Sequence, residues 1–101
     1  MTKAVVSTPQ ADFQILRLDE WWRESRDKAP ELFEQELATA LRTISVAPNA
    51  GKRYPHPMAL VRRGLMRSTR NDVYYVEIGD RVLIVAVWGA VQGMGPDLSS
   101  V

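Results

Sequence analysis

From Val82 to Trp88 the chain is entirely apolar, and this stretch constrains the fold more than any other. In an extended conformation Val82, Ile84, Ala86 and Trp88 point to one face and Leu83, Val85 and Val87 to the other. Both faces then require burial, so the segment belongs inside a sheet and not at its edge. The longest apolar run, Val82 to Val91 with Gly89 inside it, is too short to span a bilayer.

The period before this strand changes once. Ala4-Val5-Val6 is a short strand ending at Ser7-Thr8-Pro9, where a hydroxyl can cap a helix and Pro suits its first turn. From Ala11 to about Lys28, the apolar residues Ala11, Ile15, Leu18 and Trp22 recur at helical spacing, with Phe13, Leu16 and Trp21 widening the stripe. Pro30 opens a second helix. Glu31 and Glu34 complement its positive end, and Phe33, Leu37, Ala40, Leu41 and Ile44 form its buried stripe. Pro48-Asn49-Ala50-Gly51 ends that helix, and Lys52 to Pro57 reads as a loop. Beyond it the period is two, giving strands over Leu60–Arg67, Asp72–Ile78 and Arg81–Trp88, the last two joined by a turn at Gly79-Asp80.

The expected fold class is therefore α+β with the order β-α-α-β-β-β, an antiparallel sheet with a two-helix hairpin packed on one face. With 101 residues there is room for one domain, expected over residues 1–98, followed by a flexible tail at 99–101. Two helices cover one face of a sheet; the tail, an oligomer or another protein must cover the second. The absence of cysteine excludes disulfides, thiolate metal sites and a cysteine nucleophile, and a single histidine makes no metal site. No cofactor is called for. The first ten residues lack the apolar core of a signal peptide, so a soluble, cytoplasmic protein is expected.

The net charge of +1 conceals a segregation of sign. Acidic residues predominate from Gln10 to Glu36, whereas Leu37 to Asn71 contains Arg42, Lys52, Arg53, Arg62, Arg63, Arg67 and Arg70 and no Asp or Glu. Lys52, Arg53, Arg62, Arg63, Arg67 and Arg70 are the candidate residues for binding a phosphate or an acidic target, against the plainer reading of a solvated surface. Arg62 and Arg63 are adjacent in a strand and so face opposite ways. Trp21 is either core or an aromatic anchor for a partner. His56, between two prolines, has no Ser, Asp or Glu near it in sequence and reads as a loop histidine.

Five stretches in this order resemble the RelE/ParE superfamily of type II toxin–antitoxin toxins, which includes proteins called plasmid stabilisation proteins. They are Trp21–Glu24 (WWRE), Ala29–Leu37 (APELFEQEL), Pro48–Tyr54 (PNAGKRY), Val61–Ala90 and Gly93–Leu98 (GMGPDL). The resemblance implies a toxin neutralised by a cognate antitoxin in a hetero-oligomer, with Trp21, Leu83, Val85 and Val87 as antitoxin-binding residues. It leaves two activities open: ParE-like members poison DNA gyrase by binding it, and RelE-like members cut mRNA in the ribosome. A nuclease would use Arg62, Arg63 and Arg70. However, Gln92 stands near where many relatives carry Arg, and Asp72 near where many carry Arg or His, while Tyr74 and Tyr75 look like the family's structural tyrosines. These departures favour the gyrase-binding, non-enzymatic reading, with no catalytic residue. A third reading is an inactive relative that only binds antitoxin.

Overall fold

A computed structural model describes residues 2–89 and 94–101 of the chain. Its elements are β1 (Ala4–Ser7), α1 (Pro9–Ser25), α2 (Leu32–Val46), one 3-10 turn (Pro48–Ala50), β2 (Lys52–Tyr54), β3 (Val61–Met66), β4 (Asn71–Ile78) and β5 (Arg81–Gly89). Among the described residues no helix is long and apolar enough to cross a membrane.

Local chemistry sets the boundaries. The Thr8 hydroxyl accepts the Ala11 N–H at 3.1 Å, and Pro9 fills the first turn of α1, where its missing N–H costs nothing. At the other end the Trp22 indole donates to the Ala29 carbonyl at 2.6 Å, tying α1 to the turn before α2. Pro30 lies in that turn, and α2 begins two residues later at Leu32. Gly79, at φ 61°, makes the β4–β5 turn, a left-handed backbone that glycine adopts without steric cost.

The sheet runs β1-β5-β4-β3-β2. The β3-β4-β5 meander is antiparallel as its sequence pattern requires, but β1 lies parallel to β5, so the whole sheet is mixed. Lys52–Tyr54, expected as loop, is a short edge strand paired antiparallel to β3. Its ladder stops before Pro55, which has no N–H to give.

Two apolar clusters flank the sheet. On the helix side Ala11, Phe33, Leu37 and Ile44 pack on Met66, Val73, Tyr75, Val82, Ile84 and Val87. On the other side Val61, Tyr74, Val76, Val85 and Ala86 are covered by Leu98, with Leu83, Trp88 and Val101 around them. The chain's own C-terminal segment thus closes part of the second face. The Val101 N–H donates to the Leu98 carbonyl at 3.1 Å, and its side chain packs against this cluster.

One irregularity corrects the face assignment of β5. Tyr74 pairs with Ala86 while Tyr75 pairs with Ile84, which leaves Val85 as an unpaired extra residue, a β-bulge. The phase of the side chains reverses there. Val82 and Ile84 face the helices and so does Val87, whereas Leu83, Val85, Ala86 and Trp88 share the second face. Strict alternation had placed Val87 with Leu83 and Val85.

Candidate functional site

A groove of about 870 Å³ opens between α1, the β3–β4 turn and the end of β5. The face of α1 bearing Phe13, Gln14, Arg17, Leu18, Trp21 and Trp22, with Arg26 just beyond, forms one wall, a one-sided stripe at helical spacing. Ser68 to Asn71 and Val87 to Gly89 form the rest. No Asp or Glu is among these lining residues. The Arg26 guanidinium lies 5.6 Å from the centre of the Trp21 ring and 5.7 Å from that of Trp22, and Arg17 lies 5.9 Å from that of Phe13. These are cation–π contacts, which steady a guanidinium while leaving N–H groups free to bind an anion.

The floor of the groove includes a strand edge that has been closed. β1 pairs only with Arg81–Ile84, so β5 continues past the end of its neighbour. There the side-chain carbonyl of Gln14 accepts the Val87 N–H at 2.9 Å and satisfies an otherwise orphaned donor.

The turn that carries Arg70 is held from α2. One Glu36 carboxylate oxygen accepts the Ser68 N–H at 2.8 Å; the other accepts the Thr69 N–H at 2.9 Å and its hydroxyl at 2.6 Å. Burial alone would push the Glu36 carboxyl up, but the hydrogen bonds from Thr69 and Ser68 outweigh it and hold it below the ordinary value of 4.5. Arg70 follows at φ 59°, the only non-glycine residue with positive φ among those described, in a conformation that Gly or Asn adopts more cheaply.

A second basic region lies at the other end of the sheet. The β2–β3 register sets Lys52 opposite Arg63 and Arg53 opposite Arg62. Cations directly opposed across a ladder repel. The Arg62 side chain donates to the Gly51 carbonyl at 2.9 Å and to the Asn49 carbonyl at 3.4 Å, so it braces the 3-10 turn. Tyr75 braces the same turn: its hydroxyl donates to the Pro48 carbonyl at 2.6 Å and accepts the Gly51 N–H at 3.1 Å. A Cβ on Gly51 would come within 2.5 Å of that hydroxyl, so only glycine fits.

On the opposite face Arg63 stands 5.9 Å from the Tyr54 ring centre, and Tyr54 meets Tyr74 edge to face at 4.9 Å. Burial pushes the Tyr74 phenol up and Arg63 offsets only part of that, which makes it a poor base. Asp72 is buried with Oδ1 unpartnered. Desolvation pushes its carboxyl up, against a smaller downward pull from Arg63. The chain's single histidine is fully committed to backbone. His56 Nδ1 accepts the N–H groups of Met58 and Ala59 at 3.1 and 3.0 Å. Nε2 must then carry the proton and donate it to the Leu98 carbonyl at 3.0 Å.

The basic residues expected to act together are therefore divided. Arg62 and Arg53 face the helix side, Arg63 and Lys52 the other, Arg67 borders a second groove beside α2, and Arg70 lines the first. Arg62, Arg63 and Arg70 thus lie in three different surroundings. Of the residues expected to meet an antitoxin, Trp21 lies in the groove, half exposed; Leu83 is half-buried, and Val85 and Val87 are buried within the chain itself on opposite faces. Gln92 lies outside the described residues. The groove residues Phe13, Arg17, Arg26 and Trp88 and the clamp residue Glu36 escaped the reading of the sequence. One signal was present: the apolar stripe of α1 is wider than its core contact needs, and Phe13, Leu16 and Trp21 remain 61%, 55% and 51% exposed.

No protein-family model matches the sequence, and no curated protein matches it. Solved structures do. A chain from the chromosomal ParDE TA system of P. aeruginosa is similar with a TM-score of 0.70 at 13% identity, over 87% of this chain and 96% of that one. The E. coli toxin RelE, solved in the free state as an arginine-to-alanine double mutant, gives a TM-score of 0.56 at 18% identity, over 89% of this chain and 85% of that one. The chain shares its fold with these two structures.

Proposed function

We propose that the chain is the toxin of a type II toxin–antitoxin system, neutralised by a cognate antitoxin, and that it arrests growth by binding its target, DNA gyrase by likeness to ParE. Fold alone does not assign chemistry. What carries the reading is the commitment of His56: both nitrogens of the sole imidazole are bonded to backbone, so no free histidine stands beside the arginines to move a proton. The opposed pairs Lys52–Arg63 and Arg53–Arg62 support the same reading, because cations set against each other on the edge strand β2 and its neighbour β3 suit a surface that meets an anionic partner.

The test is induced expression in a bacterial host without the partner, followed by assays for gyrase-dependent DNA breaks and for ribosome-dependent mRNA cuts. Growth arrest with DNA breaks is the expected result; no growth defect overturns the toxin reading. One observation favours a second reading as an mRNA endonuclease: the buried Asp72, its carboxyl pushed up by burial, lies in the field of Arg63, an arrangement suited to proton transfer beside a phosphate. Ribosome-dependent cuts that Asp72→Asn abolishes would establish it.

A further inference from the structure

We propose that the groove between α2 and β3 binds an adenine nucleotide, with the base against the open edge of β3 and the phosphates at Lys52 and Arg63. This groove holds about 630 Å³ and shares only Ser68 with the groove of α1. Its size is that of a small-ligand pocket, and Ala40, Ile44, Gly64 and Met66 give it an apolar floor.

The strand edge selects the base. β2 pairs with β3 only over Val61–Arg63, whereas β3 continues to Met66. Past Lys52 the outer edge of β3 has no neighbouring strand, and the groove opens on it. A Cβ on Gly51 would lie 3.0 Å from the Arg63 carbonyl oxygen, so that carbonyl is turned toward this edge. Backbone groups turn the same way at every second residue of a strand, which brings the Leu65 N–H and carbonyl to the groove. Two other strand edges are covered by the chain itself: Gln14 takes the Val87 N–H, and the Ser45 carbonyl and hydroxyl take the N–H and carbonyl of Lys3. Among the described residues no side chain bonds to Leu65. A donor and an acceptor side by side match adenine, whose amino group stands next to a ring-nitrogen acceptor, whereas guanine presents two acceptors there. The Thr39 and Thr43 hydroxyls, also in the wall, spend their protons on the Gln35 and Thr39 carbonyls at 3.1 Å. They offer the groove acceptor capacity, which suits amino and ribose hydroxyl donors.

The charges orient the ligand. No strand closes the sheet beside Leu65, so Lys52 and Arg63 line the groove although their side chains leave on the face away from the helices. The two oppose each other across the ladder, and among the described residues neither forms a salt bridge. An anion placed between them relieves their repulsion. Arg63 lies two residues from Leu65, about 7 Å along the strand, which leaves room for a ribose between base and phosphate. At the other end the Glu36 carboxylate, held by Ser68 and Thr69, stands in the wall and repels phosphate. The phosphates therefore take the Lys52 end and the base the part nearer Glu36.

The test is calorimetric titration of the full-length chain with ATP, GTP and pyrophosphate, together with hydrogen exchange at the Leu65 amide. The variants are Lys52→Glu, Arg63→Glu and Thr39→Trp, the last filling the groove from an exposed position of α2. Arg81→Glu at the far end of β5 is the control, and circular dichroism verifies the fold of each. ATP is expected to bind and to slow exchange at Leu65, with GTP about tenfold weaker or worse. Each groove variant should lose about tenfold or more in ATP affinity and the control none. Absence of ATP binding by the wild-type chain overturns the site. Equal affinity for GTP or pyrophosphate shows anion binding without base recognition and also overturns it, as does wild-type affinity in all three groove variants. A single-stranded oligonucleotide that binds more tightly than ATP, with the same residue dependence, replaces the nucleotide by a nucleic-acid strand and overturns the proposal too. None of these outcomes bears on the toxin reading.

Discussion

Replacing Glu36 by Ala removes the acceptor of three hydrogen bonds that hold the β3–β4 turn against α2. The Ser68 N–H is at the surface, so water takes over most of that bond and the loss is about 0.5 kcal/mol. Thr69 is buried, and its N–H and hydroxyl lose partners where water replaces them poorly, at about 1 kcal/mol each. The total is roughly 2.5 kcal/mol, which in a domain of this size lowers Tm by roughly 10 to 20 °C. Glu36→Gln keeps one acceptor oxygen and turns the other into a donor facing an N–H, so it should cost about 1 kcal/mol. The pH dependence has a definite sign. A carboxyl whose folded pKa lies below its unfolded value contributes stability that is complete above the unfolded value, ordinarily near 4.5, and is lost as pH falls through the folded one. Wild type should therefore lose stability on acidification below that point more steeply than Glu36→Gln. Thermal melts at pH 7 and across the acid range provide the measurement. A Glu36→Ala chain melting within about 2 °C of wild type would refute the clamp, since an exposed surface substitution costs no more than that.

Three further outcomes are expected. Gln14→Ala should cost about 1 kcal/mol and speed hydrogen exchange at Val87, whose N–H loses its only described acceptor; unchanged protection would show that the edge is closed some other way. His56→Ala removes two acceptor bonds and the donor that reaches Leu98, so the C-terminal segment should become sensitive to carboxypeptidase, which intact resistance would disprove. Deleting Val85 should leave a folded, less stable chain, because the remaining residues of β5 then alternate regularly onto the faces they already occupy; deleting Leu83 instead should prevent folding, and circular dichroism separates the two.

The elements were legible because each rests on local chemistry: the Thr8 cap, the prolines at 9, 30 and 48, the glycine at 79 and the change of period after Pro57. What could not be read depends on contacts distant in sequence. The parallel pairing of β1 with β5 follows from how the helical hairpin returns the chain, and nothing within Ala4–Ser7 encodes it. The bulge at Val85 is invisible in an all-apolar strand, since shifting the phase of such a run exchanges one apolar side chain for another. The same blindness affected the site. Val85 and Val87 looked exposed because alternation put them on an uncovered face, whereas Glu36, Gln14 and His56 act through bonds to residues between 2 and 73 positions away. Charge segregation was visible along the sequence, but the folded strands turn a single basic run into separate surfaces.

That division bears on what such a chain can do. A phosphate-cleaving site needs cations and proton-transfer groups converging on one point. Here Arg62 is turned to the carbonyls of Asn49 and Gly51, Arg63 to the rings of Tyr54 and Tyr74, and Arg70 to the groove beside α1. Stability is instead given up at the surface: like charges oppose each other twice across β2 and β3, and an arginine occupies a left-handed turn position. On the proposed function those costs are offset when an anionic partner binds.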